Sequence, residues 1–313
     1  RFPDPVLQQV ENFYRPNETQ NDTFKSVSRF FDRITRPEQI LYSLPQAIDV
    51  MLDQAECGPA TISLSQDVQG EAYDYPSIFF EEKIHEIRRI NPDQNQINKA
   101  AEIIKNSKQP IIISGGGVLY SEAEDEISNF AKKHNIPVTQ TVMGIGVMDK
   151  DDPYNMGPIG CLGVGSSNSL SKDTDLALAI GTKLGDFTTG SWSNFHNSNF
   201  KLVSINTTRF DVTKHLATPV ISDAKLGLES LSKALGDWKA PDQWFERGVK
   251  EVQEWNQYIE KESGPTNQET PSYAHAVGAV YRNADPSDIV VTAAGGLVGE
   301  TVQIWKPKQR NTF

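Results

Sequence analysis

Three glycine-rich stretches are the residues whose type and spacing could do chemistry in this chain. They are Gly115-Gly116-Gly117, the pair Gly157–Gly163 with Gly181-Thr182-Lys183, and Gly295-Gly296-Leu297-Val298-Gly299-Glu300. A glycine turn after a strand lets backbone amides approach a phosphate, aided by the positive end of the next helix. The first stretch reads GGGVLYSE rather than G-x-G-x-x-G, and no acidic residue closes the later strand at Ile205-Asn206. Two readings therefore stand for it and for the third stretch: a phosphate cradle, or a tight strand-to-helix turn. Other chemistry has little support. His85, His134, His196, His215 and His275 fall into no H-x-x-x-H spacing, so no metal site is expected from them. There is no G-x-S-x-G nucleophile turn, and no side chain is assigned a catalytic role.

The elements that must position these glycines alternate between strand and helix. Pro37-Glu38 opens a helix whose apolar positions Ile40, Leu41, Leu44, Ala47, Ile48 and Met51 keep a 3.6-residue period, with a kink expected at Pro45. Gly58-Pro59 then leads to a short strand over 60–64. Residues 92–236 read as one complete α/β domain. Strands are expected at 110–114, 137–139, 176–180, 202–206 and 220–222. Helices carry Ile97, Ala100, Ala101 and Ile104, then Ile127, Phe130 and Ala131, then Leu226, Leu231 and Leu235. Ser121 with Glu124 fits a capping box, and Asp223 is a good N-cap. The alternation predicts a doubly wound, Rossmann-like parallel sheet. Residues 241–263 read as a polar helix, and 273–281 as a helix with Ala276, Val277 and Val280 inward. Asp288–Thr292 reads as a strand that begins a further domain.

The chain has 313 residues, room for about two domains of usual size. Its formal net charge of −11 disfavours a nucleic-acid partner, which would need clustered Lys and Arg. No apolar stretch approaches the roughly 18–20 residues that span a bilayer, so no membrane partner is expected. Cys57 and Cys161, far apart, suggest reduced thiols in a cytoplasmic protein.

The strings FPDPVLQQVE, SVSRFFDRITRPEQIL and GPATISLSQDVQGEAYDYP resemble the thiamin-diphosphate (ThDP) enzymes, and within them the branch that hydrolyses a cyclic trihydroxy-1,2-dione in myo-inositol catabolism. The resemblance implies an arrangement. Residues 1–76 would close a pyrimidine-binding domain and 77–91 would link it to a central domain at 92–236. A helix and linker at 237–270 would precede 271–313, the start of a diphosphate-binding domain. The flanking α/β domains would be partial, so the chain reads as the middle of a larger enzyme, as does its lack of a starting Met. The implied cofactors of that enzyme are ThDP and Mg²⁺, not expected to be held by this stretch alone, and its partners a small-molecule substrate and further copies of itself. The catalytic glutamate of the family would lie upstream of Arg1, and the metal-holding Gly-Asp-Gly motif beyond Phe313. The cofactor-facing residues within the chain would be Gln8 and Gln9, beside Asp4, and Gly295, Gly296 and Leu297. The family form of this last loop is closer to Gly-Ser-Leu-Pro-Gly-Asp, so Gly296 lacks a hydroxyl donor. Central domains that hold flavin or ADP carry an Arg where Lys183 stands, and Lys lacks its planar fork; a packing role for the central glycines is expected. Within the family an acetohydroxyacid-synthase-like or decarboxylase activity is the alternative; outside it, a non-catalytic nucleotide-binding or scaffold domain.

Overall fold

The computed structural model describes Tyr14, Arg15 and residues 18–313. The chain divides into two compact units, Arg1–Arg88 and Arg89–Phe313.

In the first unit, β1 (Phe30–Ile34) and β2 (Ala60–Leu64) pair in parallel, Phe30 opposite Ala60 and Ile34 opposite Leu64, with α1 (Ile40–Leu52) between them in sequence. β1 escaped the sequence reading because Phe-Phe-Asp-Arg-Ile shows no clean two-residue alternation. α1 runs unbroken through Pro45, which can only cost it the one bond that Pro45 would have donated to Leu41. Arg33 holds Asp22 at 2.6 Å, and Lys25 lies 2.9 Å from the same carboxyl. Those contacts, Lys25 first and then the Thr19 amide, lower the Asp22 pKa to about 2.

The second unit begins with α2 (Gln94–Lys105), capped by Asp93, whose carboxylate accepts from the amides of Asn95 and Gln96. The chain continues through β3 (Pro110–Ser114), α3 (Gly116–Tyr120), α4 (Glu124–His134), β4 (Val138–Gln140) and β5 (Asn155–Pro158). Next come α5 (Gly165–Asp173), β6 (Leu176–Ile180), α6 (Asp186–Thr189), β7 (Lys201–Asn206), α7 (Arg209–Thr213), β8 (Thr218–Ile221) and α8 (Ala224–Leu235). The long α9 (Asp242–Ser263), α10 (Tyr273–Asn283) and α11 (Gly296–Ile304) complete it. The six strands form one parallel sheet in the order β5-β4-β3-β6-β7-β8, a doubly wound α/β fold.

The strand sequences explain why helices cover both faces. Side chains alternate across a strand, so a strand apolar at every position needs cover on both sides. Ile112, Leu176, Leu178 and Ile180 point into one core with Ile97, Ile104, Phe130 and Leu231. Ile111, Ile113, Ala177 and Ala179 point into the other with Leu170 and Trp244. Trp244 also donates its indole N–H to the Pro110 carbonyl at 2.8 Å, tying α9 to the sheet. α10 and α11 pack on α9 through Val277, Ile304 and Ile259.

Several expectations are corrected. Ser121 and Glu124 form no capping box: α4 starts after Ala123 without a side-chain cap, and the Ser121 hydroxyl accepts from the Ala224 amide at 3.3 Å. Residues 288–292 form no strand. A strand needs a neighbour for its backbone, and here Val290 N–H bonds the Thr312 carbonyl instead, leaving Ile289 73% and Val291 89% exposed. On α10 the buried residues are Val277 and Gly278, whereas Ala276 and Val280 face outward because the helix packs through its other edge.

Candidate functional site

Strand order reverses between β3 and β6, since β4 and β5 lie to one side and β7 and β8 to the other. In an open parallel sheet the crevice beyond the carboxyl ends of such strands is the usual place for a ligand. Gly115–Gly117 follow β3 and Gly181-Thr182-Lys183 follow β6, so the fold brings these two stretches together there.

Two of the amides that a phosphate would need are already used. Gly115 N–H donates to the Ile180 carbonyl and Gly117 N–H to the Gly181 carbonyl, both at 2.9 Å. A Cβ on Gly117 would stand 2.6 Å from the Gly181 Cα, nearer than any side chain tolerates. Gly181 itself has φ +60, a conformation that favours glycine. The turn after β4 closes the same spot: a Cβ on Gly116 would meet the Met143 carbonyl at 3.0 Å. That contribution was missed in the sequence, where the spacing Met143-Gly144-Ile145-Gly146 was its signal. Lys183 is exposed, and its carbonyl accepts from the Lys214 ammonium at 3.3 Å. The 157–163 loop is pinned in a similar manner. Gly160 N–H donates to Asn168 Oδ1 at 2.9 Å, and Cys161 N–H to the Phe187 carbonyl at 2.8 Å. These contacts are ones that packing turns make.

The third stretch is built differently. Gly295, at φ +126, precedes α11, and no side chain caps that helix. The amides of its first turn have no partner within the helix. A Cβ on Gly295 would meet nothing within 4 Å, and one on Gly296 would only touch Tyr273 at 3.6 Å. Leu297 is 50% exposed. The loop thus presents backbone donors and the positive end of a nine-residue helix to open space. These residues fit a diphosphate through their backbone, without the hydroxyl that a serine at Gly296 would add. Among the described residues no group of three or more His, Cys, Asp or Glu side chains could hold a metal ion. Gln8 and Gln9, with Asp4, lie outside the described residues.

Two titratable groups in the second unit are structural. His134 is fully buried, with Nδ1–H donating to the Trp238 carbonyl at 2.8 Å and Nε2 accepting from the Ser232 hydroxyl at 3.1 Å. Burial lowers its pKa, which keeps the imidazole neutral. Asp223, expected as an N-cap, accepts from the amides of Lys225 and Leu226 and is also paired with Arg89 at 3.0 Å, fully buried. The pairing of Arg89 with Asp223 was not visible in the sequence, because it joins residues 134 positions apart. No described helix is long and apolar enough to cross a membrane.

Comparison with known proteins agrees with this geometry. Residues 97–231 match the family described as thiamine pyrophosphate enzyme, central domain. The whole chain is 36% identical to a 3D-(3,5/4)-trihydroxycyclohexane-1,2-dione hydrolase of Geobacillus thermodenitrificans, of which it covers 52%. It is 37% identical to the protein of that name from Clostridium tetani, covering 52%, and 38% identical to that from Bacillus licheniformis, covering 53%. The chain thus spans about half the length of these relatives.

Proposed function

We propose, from the match of residues 97–231 to the thiamine pyrophosphate enzyme central domain and from the relatives of the whole chain, that the chain is part of a ThDP-dependent hydrolase opening the ring of trihydroxycyclohexane-1,2-dione. The observation that carries this reading is identity of 35–38% along the entire chain to proteins named for that reaction. A match limited to the central domain would have supported the family and no substrate.

In this reading residues 1–76 close a pyrimidine-binding domain and 271–313 open a diphosphate-binding domain. The full protein uses ThDP with Mg²⁺, acts on a small cyclic diketone and works as a homo-oligomer in the cytoplasm. ThDP, when bound, supplies the carbanion chemistry for cleaving a carbon–carbon bond next to a carbonyl. Water enters across that bond, its hydroxyl going to the carbonyl carbon and its proton to the departing carbon, so the ring opens to a deoxy-sugar acid. The amides of Gly296 and Leu297 would hold the diphosphate, whose negative charge the α11 dipole would favour.

The test is substrate choice by the full-length protein. With ThDP and Mg²⁺, the cyclic dione should yield a carboxylic acid detectable by NMR, and pyruvate should not be consumed. Consumption of pyruvate with the dione untouched would move the assignment to a decarboxylase or acetohydroxyacid-synthase-like activity.

A further inference from the structure

Tyr273, the first residue of α10, stands beside the Gly295–Leu297 loop. A Cβ added at Gly296 would meet Tyr273 Cε2 at 3.6 Å and no other described side chain within 4 Å. The hydroxyl of a tyrosine is carried on the ring carbon next to Cε2. The contact is therefore made by the polar end of the ring, not by its stem. That end reaches the position where the loop lacks a hydroxyl of its own. The backbone that carries the ring is held from both sides. The Ser272 hydroxyl accepts from the His275 amide at 3.3 Å, and His275 Nδ1 accepts from the Ser272 amide at 3.2 Å, a reciprocal cap that fixes the start of the helix.

Packing does not account for this ring. Tyr273 is 64% exposed, and its hydroxyl bonds no described residue. α10 meets its neighbours through Val277, against Ile259 and Ile304. We infer that Tyr273 is a further cofactor-binding residue, whose hydroxyl donates to a diphosphate oxygen of ThDP and supplies the donor that Gly296 lacks. The inference rests on the diphosphate reading of the loop. The chemistry suits the ligand: a phenol has one O–H to give, a diphosphate oxygen can only accept, and the negative charge strengthens the bond.

Calorimetric titration of the full-length protein with ThDP, at fixed Mg²⁺ and without substrate, tests it. Tyr273→Phe keeps the ring and removes only the hydroxyl. It should weaken ThDP about tenfold or more, the usual worth of a hydrogen bond to a charged group. Its urea midpoint should equal that of wild type, since no described residue loses a partner. Adding Gly296→Ser to Tyr273→Phe should recover most of the lost affinity. The serine brings a hydroxyl to the same place, and its Cβ meets the ring at an ordinary 3.6 Å. Unchanged ThDP affinity in Tyr273→Phe, or no recovery in the double variant, would overturn the inference and leave the ThDP reading standing. Absence of ThDP binding by wild type would overturn both.

Discussion

Replacing Gly117 by alanine tests the view that the central glycines are packing turns. The new Cβ would lie 2.6 Å from the Gly181 Cα, 2.9 Å from its carbonyl oxygen and 3.1 Å from its carbonyl carbon. All three are backbone atoms, so no side-chain rotation relieves the overlap. Ordinary carbon contact is about 3.5–4.0 Å, so the two loops must part by roughly 1 Å. That movement breaks the 2.9 Å bond from Gly117 N–H to the Gly181 carbonyl. The lost bond costs about 1 kcal/mol, and the overpacking about 1–3 kcal/mol. Alanine's better helix propensity in α3 returns about 0.5–1 kcal/mol. The net expectation is a loss of about 1–3.5 kcal/mol. Gly185→Ala is the control, because nothing lies within 4 Å of its added Cβ and its φ is −71. It should cost about 0.5–1 kcal/mol, the difference between glycine and alanine at an N-cap. Urea unfolding followed by tryptophan fluorescence is a suitable assay. All 5 tryptophans (Trp192, Trp238, Trp244, Trp255 and Trp305) lie in the second unit, so the signal reports on it alone. A loss at Gly117→Ala no larger than at Gly185→Ala would refute the packing argument and reopen the crevice to a ligand.

Asp223→Ala should cost about 2–4 kcal/mol, because it removes both the cap of α8 and the buried carboxylate on Arg89, which keeps only the exposed Glu122 at 3.0 Å, whereas Asp93→Ala at the exposed cap of α2 should cost about 1 kcal/mol; similar urea midpoints for the two variants would contradict this. His134 makes stability depend on pH. Its folded pKa lies below the 6.5 of a free imidazole, so the unfolded chain binds the proton first. Its contribution is therefore complete above pH 6.5 and is lost as pH falls below that value. Urea midpoints of wild type and His134→Gln between pH 8 and 5 should converge as the pH drops; a constant gap would show that His134 does not titrate in this way.

The central sheet was readable because its strands are apolar at nearly every position. Ile111-Ile112-Ile113 and Leu176–Ile180 cannot be half-exposed, and a strand buried on both faces requires helices on both sides. β5 escaped because Asn155-Met156-Gly157-Pro158 is short and carries no strand-forming run, its pairing being supplied by β4. The strand expected at 288–292 shows the reverse error: the apolar run Ile289-Val290-Val291 signals a sheet interior, but a strand forms only where a neighbouring backbone accepts it. The role of Gly115–Gly117 could not be decided from one sequence. A phosphate cradle and a loop clasp need the same small residues, and only the bond from Gly117 to Gly181 separates them. The nearness of Tyr273 to Gly296 was not visible at all, since the two residues start separate helices.

The central claim is that this chain contributes backbone donors at Gly296 and Leu297 to a ThDP-dependent ring-opening hydrolase. The most direct measurement is the rate of dione ring opening by the full-length protein as ThDP is titrated, for wild type and Gly296→Glu. The account predicts no turnover without ThDP. It also predicts a ThDP requirement at least about tenfold higher in the variant, since a carboxylate would sit where the diphosphate is held. Ring opening without ThDP, or an unchanged ThDP requirement in a folded Gly296→Glu protein, would contradict it.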